Sequence, residues 1–327
     1  MHALAVVIPA YNPDFFRTTL ASVAAQTDRR FCLYVGDDAG PSEIARAVAE
    51  LPSGLEVVYR RYEENLGGLS LAGHWNRCVA LSSEPWVWLF SDDDVMSPDC
   101  VASFYAELER GCDADVFRFD TEVIDAEGRR LRANPRHPTV ETGVDFIYSR
   151  LSGARHSYVV EYVFRRKAWE RAGGFPDYPA AWCSDDAAWF LFSRERPIRT
   201  LSAGTVSWRA SGRNISTSRT RYRAEKLAAA GAFLRFVRKE VVPSEPGPGR
   251  APEEWARACE RWYLEQLRYP VPLAPRHWLQ ALRHARGVWR APTWRKLGTL
   301  SVWAAREKWR SLVGLRAGRS RSPAGSC

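Results

Sequence analysis

The stretch Trp86-Val87-Trp88-Leu89-Phe90-Ser91-Asp92-Asp93-Asp94-Val95-Met96-Ser97-Pro98 sets five apolar residues directly against three adjacent carboxylates. The apolar half has the length of a buried strand, and the acidic half stands where that strand leaves its sheet. Three neighbouring carboxylates beside low-dielectric protein raise one another's pKa unless a cation or hydrogen-bond donors offset the charge. Carboxylate oxygens are hard ligands suited to Mg²⁺ or Mn²⁺, and Mg²⁺ is commonly held by one or two protein carboxylates with substrate phosphates completing its shell. A nucleotide diphosphate is the expected partner of such a site. The same residues also suit a solvated acidic turn capping a helix that begins near Pro98 or Asp99, so the decision passes to the rest of the chain.

Outward from this stretch, strands and helices alternate. Ala3 to Ile8 is a short apolar run rich in β-branched residues and stopped by Pro9-Ala10-Tyr11-Asn12-Pro13, which predicts a buried strand and a turn. Helical spacing through Phe16, Leu20 and Val23 predicts a helix over 15–26. Strands follow at 31–36, 55–59 and 86–90, and helices at 43–51, 70–81 and 100–110. This is the βαβα alternation of a mostly parallel sheet flanked by helices. Ligands of such sheets bind outside the carboxyl ends of the strands. Here those ends carry Tyr11 and Asn12, then Asp37 and Asp38, then Glu63, Glu64 and Asn65, then the acidic triplet. Each cluster alone is ordinary turn chemistry, but all fall on one edge.

Val6-Val7-Ile8-Pro9-Ala10-Tyr11-Asn12, Asp37-Asp38, Asn65-Leu66-Gly67-Gly68 and Asp92-Asp93-Asp94 with Pro98 four residues on resemble, in order and spacing, the family 2 glycosyltransferases of the Rossmann-like GT-A fold. The resemblance runs over residues 3 to 220. It implies that Pro9, Tyr11, Asn12, Asn65 and Gly67 line a nucleotide pocket and that Asp38, or its neighbour Asp37, hydrogen-bonds the base or ribose. Asp92 to Asp94 become the DxD element, with Asp94 as first metal ligand. The family carries an acidic residue where Ser91 stands, so Asp92 with Asp94, or Asp93 with Asp94, are both open as the working pair.

A second acidic constellation, Ser184-Asp185-Asp186-Ala187-Ala188-Trp189, opens an apolar helix and resembles the catalytic acidic pair of the family. In an inverting sugar transfer a carboxylate removes the acceptor hydroxyl proton while the metal stabilises the departing diphosphate. Asp186 is the expected base and Asp185 its orienting neighbour; the plainer alternative is an N-cap and first-turn acid on an ordinary helix. Gly173-Gly174-Phe175-Pro176 resembles the family turn on the acceptor side, which a structural turn would also require. Further on, Arg209, Asn214 and Ser216 match a family segment in which Ser211 occupies a His position. A hydroxyl lacks the affinity of imidazole for a transition metal, which bears on metal strength and choice. Arg209 and Arg213 are the expected partners of the leaving diphosphate, since guanidinium pairs well with phosphate oxygens.

The chain has 327 residues, 46% of them apolar, and a net charge of +9. The excess basicity lies at the carboxyl end, where residues 250–327 hold sixteen Lys and Arg against five Asp and Glu. Pro243-Ser244-Glu245-Pro246-Gly247-Pro248-Gly249 reads as a linker. The expected organisation is a catalytic domain over 1–240, a linker over 241–252, a Trp- and Arg-rich helical extension over 253–315 and a disordered tail over 316–327. Trp and Arg interleaved on amphipathic helices suit an anionic membrane surface, and equally suit helices packed on the catalytic domain. A basic patch without a reading motif is weak ground for nucleic acid, and none is expected as a partner.

No stretch approaches the eighteen apolar residues of a transmembrane helix, and the amino terminus lacks a signal-peptide pattern, so a cytoplasmic location, peripheral at the inner membrane face, is expected. Seven widely spaced cysteines suggest neither a disulfide framework nor a zinc site. The reading is an inverting transferase, dependent on Mn²⁺ or Mg²⁺. It takes a sugar from a nucleotide-diphosphate donor, a UDP-sugar first, to a hydroxyl of a glycan or lipid-linked acceptor, in a role the resemblance implies for bacterial cell-surface polysaccharide. The rivals are a nucleotidyltransferase of similar fold, whose Gly-rich basic loop is missing near the first strand, and a membrane-associated scaffold with a degenerate transferase domain.

Overall fold

Alternation inside the apolar runs decides how the strands are buried. A computed structural model describes residues 2–111, 113–216, 221–247 and 249–268. The strands β1 (Leu4–Ala10), β2 (Phe31–Asp37), β3 (Val57–Arg61) and β4 (Trp86–Leu89) pair in parallel, in the order β3-β2-β1-β4. Leu4, Val6, Ile8, Leu33, Trp86 and Trp88 pack on one face against α1 (Phe16–Ala24), α2 (Ser42–Ala49) and α4 (Cys100–Glu109). Ala5, Val7, Cys32, Val87 and Leu89 pack on the other, where α3 (Leu71–Val79) lies. Both faces are covered at β1, β2 and β4, which is why those strands read as continuous apolar runs, while the edge strand β3 stays partly exposed. The boundaries fall close to those expected from the spacing.

The segment from about 113 to 210, nearly without motifs, builds the second half of the sheet. It contains β6 (Val116–Ile124), β7 (Arg130–Ala133), β8 (Val140–Glu141), α5 (Gly143–Leu151), β9 (Tyr162–Arg165), α6 (Arg166–Ala172), α7 (Ser184–Phe192) and β10 (Ile198–Arg209), while the short β5 (Val95–Met96) precedes α4. Beyond β4 the order continues β9-β6-β10-β5. β9 is antiparallel to both β4 and β6, and β10 is parallel to β6, so β6 and β10 point the same way as β4. The carboxyl ends of β1, β2, β4, β6 and β10 therefore share one edge.

The glycine pair after α6 has a steric reason. Gly173 ends the helix at φ +74°, and Gly174, at φ +90°, lies so near Asn76 that a Cβ would stand 2.7 Å from its Oδ1. That oxygen accepts from the Phe175 N–H at 2.8 Å and from Trp169 Nε1 at 3.0 Å, which ties the turn to α3.

Past the sheet, α8 (Arg223–Phe236) runs on through a π-turn over Val237–Val241, and α9 (Pro252–Arg268) follows. Trp255, Cys259, Trp262 and Tyr263 of α9 are buried in the same core as α5, α7 and α8. The Pro- and Gly-rich stretch before it is tied down: Glu245 accepts from Trp255 Nε1 at 2.9 Å and from Arg250 at 2.8 Å, and Arg250 also pairs with Asp145 of α5. For Trp255 and Trp262, packing rather than a membrane face is what the side chains do. Trp278, Trp289, Trp294, Trp303 and Trp309, and the expected tail over 316–327, lie outside the described residues. Among the described residues, no helix is long and apolar enough to cross a membrane. Cys32, Cys78, Cys100, Cys183 and Cys259 are buried free thiols.

Candidate functional site

At the end of β4 the acidic triplet turns back on the sheet edge. Asp92 is half-buried, and its Oδ2 accepts from the N–H groups of Tyr11 and Asn12, each at 2.8 Å. Asp93, also half-buried, accepts from the Ser91 hydroxyl at 2.9 Å and from Asn214 Nδ2 at 2.8 Å. Asp94 is 1% exposed; its oxygens accept from the Arg209 N–H and the Ser91 hydroxyl, both at 2.6 Å, and its own carbonyl from Thr19 at 2.8 Å. The expected first metal ligand is thus the innermost carboxylate, and the two with open surface are Asp92 and Asp93. Ser91 is not a void in the pattern, since its one hydroxyl bridges two carboxylates.

Burial raises all three carboxyl groups above the usual range. Asp92 is pushed to about 7 by burial and then by the charge of Asp93. Burial, then Asp93, holds Asp94 well above its ordinary value, and burial raises Asp93 against the hydrogen bond from Ser91. The cluster is a set of hard oxygen donors whose joint ionisation is opposed by its own surroundings.

Asp37 and Asp38 are both buried and both engaged. Asp37 accepts from the Gly40 N–H at 2.7 Å, the Tyr59 hydroxyl at 2.5 Å and Arg61 at 2.7 Å. Asp38 accepts from the Leu66 and Gly67 N–H groups at 2.8 and 2.7 Å and pairs with Arg77, whose Nε donates to His74 Nδ1 at 2.9 Å. It therefore fixes the Asn65-Leu66-Gly67-Gly68 turn beside the ends of β1 and β2, and a Cβ on Gly67 would stand 2.6 Å from its Oδ2. Asn65 stays in its own turn, accepting from the Gly68 N–H at 2.6 Å. Tyr11, 52% exposed, is the open aromatic of this edge, with Pro9 and Asn12 half-buried next to it. Burial pushes His74 down to about 4, with Asp38 opposing and Arg77 assisting.

The two expected diphosphate partners separate. Arg209 is 2% exposed, and its guanidinium donates to the carbonyls of Asp93 at 2.7 Å and of Asp125 and Ala126 at 3.0 Å each, 4.7 Å above the Phe15 ring. It is spent inside the protein. Arg213 is exposed and pairs with Asp14, two residues from Asn12.

The second acidic pair sits in the first turn of α7, where helix polarity favours anions. Asp186 is buried and gripped by Arg150 of α5, Nε to Oδ1 at 2.7 Å and Nη2 to Oδ2 at 3.1 Å. Asp185 is half-buried, and burial, followed by the Asp186 charge, pushes it to about 7 against the pull of Arg150. Trp189 is core, stacked on Tyr162 at 4.2 Å, whereas Trp182 is half-buried beneath Lys226 Nζ at 4.5 Å. Lys226 donates to the carbonyl of Ile215, the residue after Asn214. Asn214 thus touches Asp93, and Lys226, bonded to the next residue, lies over Trp182, three residues before Asp185.

Arg150, Arg77, Asn76 and Thr19 carry no motif, and the sequence alone does not single them out. Asn214 was legible only through its place in the segment after β10.

Residues 5–164 match the family model described as Glycosyl transferase family 2. No curated protein matches the sequence. Among solved structures, S. aureus TarS 1–349 in complex with UDP-GlcNAc is similar with a TM-score of 0.67 and 16% identity, over 87% of this chain and 79% of that one. The same protein in complex with UDP gives 0.53 and 16%, over 90% and 92%. The mannosyltransferase PcManGT from Pyrobaculum calidifontis, in complex with GDP-Man and Mn²⁺, gives 0.50 and 16%, over 95% and 87%. At these identities the likeness is one of fold.

Proposed function

Since the chain belongs, through residues 5–164, to glycosyl transferase family 2, we propose that it moves a sugar, with inversion, from a nucleotide diphosphate, UDP first, to a hydroxyl of a glycan or lipid-linked acceptor. Synthesis of cell-surface polysaccharide is the corresponding role. The observation that carries the reading is the meeting of Asp92, Asp93 and Asp94 with the Tyr11-Asn12 turn and the end of β10 at one sheet edge. Tyr11, Pro9 and the turn held by Asp38 line the space for the base and ribose.

Among the described residues no three His, Cys, Asp or Glu side chains gather as a metal cage, so a divalent cation, Mn²⁺ or Mg²⁺, would take two carboxylates and complete its shell with the donor's phosphates. The carboxylate oxygens are hard, and burial, then the charge of Asp93, raises the pKa values of Asp92 and Asp94. Asp92 and Asp93 would hold it, with Asp94 behind them bracing the turn through Arg209. When bound, the cation stabilises charge on the departing diphosphate. Arg213, exposed and paired with Asp14, is the cation facing outward for the same phosphates, while Arg209 keeps Asp93 in place from below. The acidic pair of α7 orients the acceptor hydroxyl and receives its proton. Trp182 offers a ring face beside it for sugar stacking.

Calorimetric titration of UDP, GDP and other nucleoside diphosphates into the full chain, with Mn²⁺, with Mg²⁺ and with chelator, tests this. Binding that needs a metal and disappears in Asp93→Ala is expected. Absence of binding to every nucleotide under every condition would refute the reading.

A further inference from the structure

The hairpin of β6 and β7 is tied at one end to the first acidic cluster and at the other to the second. At its turn, Arg209 donates to the Asp93 carbonyl at 2.7 Å and to the carbonyls of Asp125 and Ala126 at 3.0 Å each. Past β7, Arg155 Nη1 donates to the Arg136 carbonyl at 2.9 Å and Arg150 Nη1 to the Arg155 carbonyl at 2.8 Å. The fork of Arg150 holds Asp186 at 2.7 and 3.1 Å. β7 therefore leads from the carboxylates after β4 toward those opening α7.

The hairpin is basic where it is open. Residues 129–137, Arg129-Arg130-Leu131-Arg132-Ala133-Asn134-Pro135-Arg136-His137, hold four arginines and no acid, although residues 1–249 hold 31 Lys and Arg against 33 Asp and Glu. Every residue of β7 is exposed. Nearby acids offset part of the charge, since Asp125 and Glu127 pair with Arg129, and Glu122 pairs with Arg130. Arg132 has no carboxylate partner among the described residues. Arg136, its side chain 92% exposed, meets Asp120 at 4.0 Å, the outer limit of an ion pair. Arg130 and Arg132 share a face of the strand, about 7 Å apart. His156 stands in the field of Arg132 and of Arg150, whose charges, after burial of the ring, hold it below its ordinary value.

A row of like charges concentrates ligands of the opposite sign, and a guanidinium fork matches the paired oxygens of phosphate and carboxylate. A neutral glycan would gain little from Arg132 and Arg136. We propose that the acceptor is an anionic chain, bearing phosphate or carboxylate groups, and that Arg132 and Arg136 seat one of its anions beside the two acidic clusters. This rests on the transferase reading above and narrows its acceptor to charged ones.

The test uses the full chain, the double variant Arg132→Gln/Arg136→Gln, and a control, Arg46→Gln/Arg60→Gln, which removes the same charge from exposed positions on α2 and β3. The probes are dextran, dextran phosphate and polygalacturonate, titrated by calorimetry at about 0.15 M salt, where exposed charges more than about 8 Å apart are largely screened. The basic residues beyond 268 are common to all three proteins and drop out of the comparison. Dextran should not bind. A charged polymer should bind the wild type, bind Arg132→Gln/Arg136→Gln about tenfold more weakly, and bind the control within about twofold of the wild type. A loss for dextran phosphate alone assigns the anion as phosphate, and a loss for polygalacturonate alone assigns it as carboxylate; either supports the proposal. Both double variants should melt like the wild type and bind UDP with Mn²⁺ as it does, which reports that they fold.

A wild type that binds neither charged polymer, an equal loss in both double variants, or no loss in Arg132→Gln/Arg136→Gln overturns the proposal. So does a loss seen only with phosphatidylglycerol vesicles, which would make the hairpin a membrane face. A wild type that binds no nucleotide defeats the transferase reading itself, and a polymer loss confined to Arg132→Gln/Arg136→Gln then stands apart from it as a property of this surface.

Discussion

Replacing Arg209 with alanine should unfold the protein more readily before it does anything specific to a phosphate. The guanidinium donates to three carbonyls, at 2.7, 3.0 and 3.0 Å, and is 2% exposed. A buried acceptor left without its donor costs about 1–3 kcal/mol. Asp125 and Ala126 are half-buried in a turn that water can reach, so the low end applies to them, and the sum is about 3–5 kcal/mol. An unfolding entropy of about 2.1 cal/mol/K per residue over 327 residues gives about 0.69 kcal/mol/K, so the melting temperature should fall by about 4–7 °C. Arg213→Ala, at an exposed side chain, should stay within about 0.5 kcal/mol of the wild type. Thermal unfolding of both variants without nucleotide, followed by UDP calorimetry well below the transition, makes the comparison. An Arg209→Ala protein that melts like the wild type but no longer binds UDP would show that the guanidinium serves the ligand, and the structural role argued for it would be wrong.

Three further expectations come from the same geometry. In metal-free protein the raised carboxyl groups of Asp92, Asp93 and Asp94 contribute stability that is fully present below their ordinary range, near pH 4, and is lost as pH rises through their raised values, about 7 for Asp92; a cation favours the ionised forms, so Mn²⁺ should raise the melting temperature more at about pH 8 than at about pH 5. An equal shift at both pH values would speak against the site. His74, held down to about 4, contributes stability in full above about pH 6.5 and loses it as pH falls from there, by an amount on the order of 3 kcal/mol; His74→Gln should flatten urea-unfolding stability over that window. Trp262→Ala should cost about 3–5 kcal/mol by chemical denaturation, against a change near zero if α9 were detached from the core.

The first half of the fold was legible because parallel strands covered on both faces write themselves as uninterrupted apolar runs, as in Ala3 to Ile8 and Trp86 to Phe90. The second half was not. β7, β8 and β9 have two to four residues each; β9 is inserted antiparallel between β4 and β6, and β7 and β8 add antiparallel to β6 and β10, which no local period announces. The Pro- and Gly-rich stretch near 245 looked like a linker because its composition is that of an exposed turn. In the structure Trp255 and Arg250 bond to Glu245 in this stretch, and Arg250 also to Asp145, contacts that composition does not announce.

By itself the sequence determined the βαβα alternation, the edge on which its polar turns collect, and the two acidic clusters, because backbone period and turn chemistry are local properties. Division of labour within those clusters was decided only by tertiary structure. Adjacent aspartates are chemically alike, and what separates Asp94 from Asp93, or Asp186 from Asp185, is which one a distant N–H or guanidinium reaches. Arg209 is 115 residues from Asp94 and Arg150 is 36 from Asp186, separations at which burial and hydrogen bonding are set by packing alone.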